Sequence, residues 1–327
     1  LAKSYVLPSV FGAKEPKENC ADLRTKGWEL SLNWNDSFAL MGKRFNYTVS
    51  ASLGDNKTVI TKYNNPEKLL TDYYEGMVLG EIWGYRVDGL FTSDEEATEY
   101  TSKINQDFVN ARILSDKVDP YYRAGDLKFR DLDNNNVINK GDDTVYDPGD
   151  REIIGNETPR YNYSFRLGAD WNGFDLGIFF QGVGKRDWYP NHLSTGFWGP
   201  YSRAFTSFIP ENFMDQCWSE ENPGGYFPRF RGYQTFKDSQ LGVNNDRYLQ
   251  NASYIRLKNL TVGYTLPVLK KVFTKLRVYF TGENLWYWSP MKKYTKYIDP
   301  EAAGGNGNTG MAYNYSRNFS VGVDITF

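Results

Sequence analysis

Residues 161–180 read YNYSFRLGADWNGFDLGIFF, and the alternation in this stretch decides the fold. Odd positions carry Tyr161, Tyr163, Phe165, Leu167, Ala169 and Trp171, while even positions carry Asn162, Ser164, Arg166, Gly168 and Asp170. Successive side chains of a strand point to opposite faces, so a period of two makes one face apolar and the other polar. Asn172-Gly173 follows, a pair in which both residues tolerate the positive φ of a type I′ turn. Phe174, Leu176, Ile178 and Phe180 then carry the apolar face back. The prediction is a tight antiparallel hairpin.

The same pattern recurs on either side of it. Trp28, Leu30, Leu32 and Trp34 alternate with Glu29, Ser31, Asn33 and Asn35; after a connection near Gly42-Lys43, Phe45, Tyr47, Val49, Ala51 and Leu53 return. A third pair runs over residues 254–265 and 276–286, with an apolar phase that slips near Lys258-Asn259 and so predicts a β-bulge. Phe319, Val321, Val323, Ile325 and Phe327 close the series. Seven strands are expected.

Composition narrows what such strands can build. Aromatic residues make up 17% of the 327 residues, yet mean hydropathy is −0.62. A membrane helix needs about 18 or more consecutive apolar residues, and no such run exists here. A membrane β-barrel escapes that requirement, because only alternate residues face lipid and the others face a polar lumen. Lys and Arg number 38 against 40 Asp and Glu without a basic run, which removes nucleic acid as a partner. Cys20 and Cys217 form no zinc motif and are either two thiols or one disulfide; the single histidine, His192, reads as a surface loop residue.

Very long connections separate the hairpins, at about residues 62–159, 185–252 and 287–315. A compact soluble sheet accommodates these badly, whereas outer-membrane barrels pair short periplasmic turns with long extracellular loops. The expected fold class is therefore all-β: an antiparallel transmembrane β-barrel of the outer-membrane type. Parity of the strand directions assigns Ile82–Phe91 to the first long loop and not to the wall. Seven strands do not close a barrel, and the chain starts at Leu1 without a signal peptide. Residues 1–327 are accordingly expected to be the C-terminal portion of the barrel, with the N-terminal domains absent from this chain.

Several blocks also resemble one family. AGDLKFRDLDNNNVINKGDD at 124–143, followed by IIGNETPRYNYSF at 153–165, is similar to the signature of the SusC/RagA branch of TonB-linked outer-membrane transporters. Further similar blocks are LPSVFGAKEPKENCADLRTKGWELSLNW, EIWGYRVDGLFTSDEEA, SYIRLKNLTVGYTLP, LRVYFTGENLW with YIDPEAAGG, and the final strand. The resemblance implies a roughly 22-stranded barrel with a plug and TonB-dependent active import of oligomeric nutrients, usually glycans and sometimes peptides. It implies a SusD-type surface lipoprotein as lid, TonB-ExbB-ExbD acting on the plug, an outer-membrane location, no required cofactor and no catalysis. Peptide import, a passive porin and a secreted β-sandwich that binds carbohydrate are the alternatives.

Two clusters are candidate sites. Loop 185–252 is crowded with rings, of which Trp188, Tyr189, Trp198 and Tyr201 are the candidate substrate contacts, because sugar C–H faces stack on flat rings; the same rings could instead pack the loop on itself. In the acidic loop, Asp131, Asp133 and Asn135 stand at positions 1, 3 and 5 of an EF-hand-like spacing, with the Val137 carbonyl at 7, Asn139 at 9 and Asp142 at 12. A structural Ca²⁺ is one reading; an Asn-rich turn held by side-chain-to-backbone hydrogen bonds is the other. Glu95-Glu96 and Glu220-Glu221 read as surface charge.

Overall fold

The computed structural model describes residues 2–4, 17–203, 205, 209, 211–236, 239–267, 274–304 and 312–327. Seven strands form one antiparallel sheet: β1 (Ala21–Leu40), β2 (Lys43–Tyr63), β3 (Arg160–Trp171), β4 (Phe174–Lys185), β5 (Tyr254–Leu266), β6 (Lys275–Trp288) and β7 (Asn318–Thr326). Their spatial order is their chain order, a simple up-and-down meander. Each strand pairs with the next, and β1 and β7 are the two edges. Phe174 faces Trp171 across the β3–β4 turn, where Asn172 and Gly173 have φ of 50° and 88°. At the β1–β2 turn Met41 and Gly42 take the same left-handed places, with φ of 51° and 72°.

The two faces of this sheet differ as the alternation predicts. Trp28, Leu30, Leu32 and Trp34 on β1, and Phe319, Val321, Val323 and Ile325 on β7, are all exposed on the apolar side. A contiguous apolar surface of this extent marks contact with another apolar phase and not with water. No second sheet packs on it among the described residues. On the opposite face one register row crosses all seven strands as Asn35, Thr48, Gly168, Gly177, Thr261, Thr281 and Ser320. That face is polar and small-sided throughout the row.

The predicted irregularity is where the phase slips. Lys258 is skipped when Leu257 and Asn259 pair with β6, and on the other side the register shifts between Phe179 and Phe180. A bulge turns a side chain out of its place in the ladder. Lys258 uses this freedom to reach Glu301, at 2.8 Å, in the last long connection.

All three long connections leave the same rim of the sheet, because they join β2 to β3, β4 to β5 and β6 to β7. The other rim carries the two tight turns, between β1 and β2 and between β3 and β4. Glu81–Tyr85 and Val87–Leu90 do form strands, but they pair with Arg151–Asn156 and Leu127–Phe129 in small separate ladders. Parity thus places them correctly outside the wall. Helix α1 (Asp94–Lys103) begins with a side-chain cap: Ser93 accepts from the Glu96 amide at 3.1 Å, and Glu96 reaches back past it to accept from the Thr92 amide at 2.7 Å.

Candidate functional site

The three connections are not independent loops, since they share one hydrophobic core. The first contributes Tyr85, Val109, Leu127, Phe129 and Ile138; the second contributes Trp188, Phe197, Trp198, Phe227 and Tyr248; the third contributes Met291, Ile298 and Ala303. Burial of so many large side chains is the main stabilising force of this body, at about 1.5–3 kcal/mol for each fully buried side chain.

Polar staples join the segments where their backbones meet. Tyr85 exchanges backbone hydrogen bonds with the second segment, donating to Asn244 O at 2.9 Å and accepting from Asp246 N at 3.1 Å. The Asp246 carboxylate accepts from Val87 N at 3.0 Å and from Arg86 at 3.1 Å. Asp126, fully buried, accepts from Arg231 Nε at 3.1 Å and Nη2 at 3.0 Å, from Arg123 N at 2.9 Å and from Gln240 Nε2 at 3.4 Å. Burial pushes the Asp126 carboxyl above its ordinary range, against the opposing pull of the Arg231 guanidinium. Towards the third segment, the rings of Tyr226 and Tyr294 stack at 3.5 Å, and buried Arg256 pairs with buried Asp299.

The four candidate rings of the second segment lie inside this core. Trp188, Trp198 and Tyr201 are at most 1% exposed, and Tyr189 is 6% exposed. Trp198 packs edge-on against Phe197, Phe227 and Tyr248 and donates its indole N–H to Pro190 O at 3.2 Å. The Tyr201 hydroxyl donates to Pro228 O at 2.6 Å. Buried among each other, Trp188 and Trp198 offer no face to a ligand, so the expectation of ligand contact is corrected to self-packing. Of the four, Tyr189 lines a cavity of about 700 Å³ that opens between the first and second segments. Trp83, His192 and Phe236 also line it. The sequence reading missed Trp83 and Phe236 as candidates because ring density singles out the core equally well.

In the acidic loop the carboxylates of Asp131, Asp133 and Asp150 converge, with ligand oxygens within 4.8 Å of one another. Asp142 is not among them; its amide donates to Asp147 at 3.2 Å. The extra turn over residues 140–149 carries the chain past the twelfth position and brings Asp150 into the place that the spacing gave to Asp142. Asx-type bonds shape the loop: Asn135 N to Asp133 at 3.0 Å, Asn136 N to Asp131 at 2.8 Å and Val137 N to Asn135 at 2.7 Å. Asn136 adopts φ of 68°, supplying the turn for which an EF-hand uses Gly.

This donor set fits a hard divalent cation. Asp131 Oδ1 is buried with no hydrogen-bond partner. Asp150 is fully buried, and burial, with the neighbouring charges of Asp133 and Asp131, pushes its carboxyl up. Three close carboxylates repel one another unless a proton or a cation sits between them. Asp131, Asp133 and Asp150 would hold the ion, and a calcium there would pin the loop.

The remaining acidic pairs have structural roles or lie in solvent. The Lys128 ammonium, followed by Thr92, holds the Glu96 carboxyl down at about 2, the reverse of what a general acid needs. Glu95, Glu220 and Glu221 are exposed. No disulfide joins Cys20 to Cys217, and burial pushes the Cys217 thiol up, towards its unreactive form.

No protein-family model matches the chain. Among curated proteins it is 26% identical over 352 residues to one TonB-dependent receptor of Formosa agariphila and 27% identical over 350 residues to another. These alignments take in 100% and 98% of this chain but 31% and 30% of the relatives, so the chain spans about a third of their length. TonB-dependent receptor SusC of Bacteroides thetaiotaomicron is 22% identical over 321 residues, covering 95% of this chain and 27% of SusC. Among solved structures, the RagAB peptide transporter matches with a TM-score of 0.61 at 20% identity, over 98% of this chain and 31% of that one. The RagAB peptide importer in its open-open state matches with a TM-score of 0.62 at 20% identity, over 100% of this chain and 31% of that one. With its meander of strands and its apolar face, the chain is similar along nearly its whole length to TonB-dependent receptors, SusC among them, and shares its fold with the RagAB transporter.

Proposed function

We propose that the protein containing this chain imports an oligomeric nutrient, a glycan, across the outer membrane by a TonB-dependent mechanism. The observation that carries the reading is the joining of two features in one chain. A wall strand series with a lipid-type face leads on one rim into a folded body with a ring-lined cavity. A wall alone would serve a passive pore, whereas a built body at the mouth serves capture.

In this reading residues 1–327 are the C-terminal part of the barrel, and the three-segment body is extracellular. A SusD-type lipoprotein closes over that body, and TonB-ExbB-ExbD acts on a plug supplied by the rest of the protein. A calcium held by Asp131, Asp133 and Asp150 stiffens the first segment and takes no part in chemistry. The glycan in preference to a peptide is supported by rings that reach solvent beside carboxylates, an arrangement that suits sugar C–H faces and hydroxyls.

The test is uptake in the native host. Deleting the gene should abolish growth on one class of neutral glycan, and deleting tonB should do the same while the receptor remains in the outer membrane. Uptake that survives loss of TonB would turn the reading into a passive pore. Loss of growth on peptides alone would turn it into peptide import.

A further inference from the structure

The cavity between the first and second segments has a definite electrostatic character, and it selects among ligands. At about 700 Å³ it is of ordinary small-ligand size. It is preformed, because the Tyr85–Asn244 and Tyr85–Asp246 backbone bonds and the bond from Asn244 Nδ2 to Trp83 O, at 3.1 Å, fix its two walls together. Unlike the buried core rings, Phe236 is 40% exposed, its ring centroid lies 6.2 Å from that of exposed His192, and Trp83, also in the lining, is half-buried.

The charged groups of the lining are Glu81, Glu157 and Arg151. Arg151 is spent on Asp143 at 2.6 Å, outside the lining. Glu81 accepts from the Val78 amide at 2.9 Å and from the Tyr74 hydroxyl, and neither glutamate forms an ion pair among the described residues. Arg186, outside the lining, donates to the main-chain oxygen of Glu157 at 3.2 Å and to Pro300 O at 3.2 Å, and its charge also acts on the Glu157 carboxylate. The cavity therefore carries net negative charge, which rejects anionic groups and welcomes neutral hydroxyls as donors to carboxylate. A peptide strand would need free backbone partners. The amides of Leu241 and Gly242 in the wall are already spent on Gln234 O at 3.1 Å and Ser239 O at 2.8 Å.

We infer that this cavity is a subsite for an uncharged saccharide unit, stacked by Phe236 and Trp83 and hydrogen-bonded by Glu157, and that it excludes uronate and sulfated units. The inference rests on the import reading above and adds to it a place and a charge selection.

The experiment uses the full-length receptor in detergent, titrated calorimetrically with neutral hexasaccharides of glucose, mannose and xylose, with hexagalacturonate, and with a mixture of nonapeptides. One neutral hexasaccharide should bind, and both Phe236→Ala and Glu157→Gln should weaken it by about tenfold, the scale of one stacking or charge-assisted contact. Hexagalacturonate should bind wild type at least about tenfold more weakly, and Glu157→Gln should narrow that gap. Both substitutions sit at the surface, and equal melting temperatures of variant and wild type establish that the fold is intact. Failure of every neutral hexasaccharide to bind, affinity unmoved by both variants, or preference for the uronate or the peptides overturns the inference. TonB-dependent uptake of a glycan whose binding ignores both variants would leave import standing and remove only this subsite.

Discussion

Replacing Arg231 by Met tests whether the long connections are one folded body held by a buried ion pair. Arg231 is 9% exposed and Asp126 is fully buried, so removing the guanidinium leaves a carboxylate in the core with only neutral donors around it. Breaking a buried pair by losing one partner costs about 3–5 kcal/mol, most of it through the stranded charge. The sign with pH follows from the Asp126 carboxyl, which burial already raises above its unfolded value. With the guanidinium gone it rises further. Between the unfolded and folded pKa values the folded state holds the extra proton, so stability falls as pH rises across that window, by up to about 1.4 kcal/mol per pH unit. The penalty should therefore be smaller at pH 5 than at pH 8, because protonation relieves the stranded charge. The assay is pulse proteolysis of the detergent-solubilised full-length receptor across a urea series at both pH values, following cleavage between residues 64 and 253. A penalty under about 1 kcal/mol that is the same at pH 5 and pH 8 would mean the pair behaves as an exposed one, and would refute the reasoning.

Three further outcomes are expected. Trp198→Ala removes a ring from the centre of the core and should destabilise the extramural body by about 3–5 kcal/mol while the wall keeps its resistance to heat in detergent; simultaneous loss of both would show that the body is not separable from the wall. Asp131→Asn should lower Ca²⁺ affinity at least about tenfold, read by displacement of bound terbium luminescence, and equal affinity in variant and wild type would remove the cation from the acidic loop. Val262→Arg on the apolar face should cost about 2–4 kcal/mol in outer-membrane stability, measured by heat modifiability, whereas Thr261→Arg on the opposite face should cost far less; reversed effects would exchange the lipid and lumen faces.

The strands and their order were legible without coordinates because their information is local. A period of two in residues 161–180, two left-handed positions at Asn172 and Gly173, and a slip at Lys258 are each set by side-chain direction and backbone sterics within a few residues. The acidic loop was partly legible for the same reason: Asp131, Asp133 and Asn135 lie close together in sequence. Asp150, by contrast, reaches the cluster only after an intervening turn, and no fixed spacing specifies how such a turn folds.

What the tertiary structure alone decided is which rings line a cavity and which face each other. Trp198 and Phe236 sit 38 residues apart in the same aromatic-rich segment, and composition treats them alike. Trp198 is buried in a core that Tyr85, Leu127 and Phe129 from the first connection and Met291 from the third complete; Phe236 lies outside that core, 40% exposed, in the lining of the cavity. Burial depends on which distant segments meet. That meeting is fixed by contacts such as Tyr85 with Asp246 and Arg231 with Asp126, each spanning more than 100 residues, and no local pattern in the chain records it.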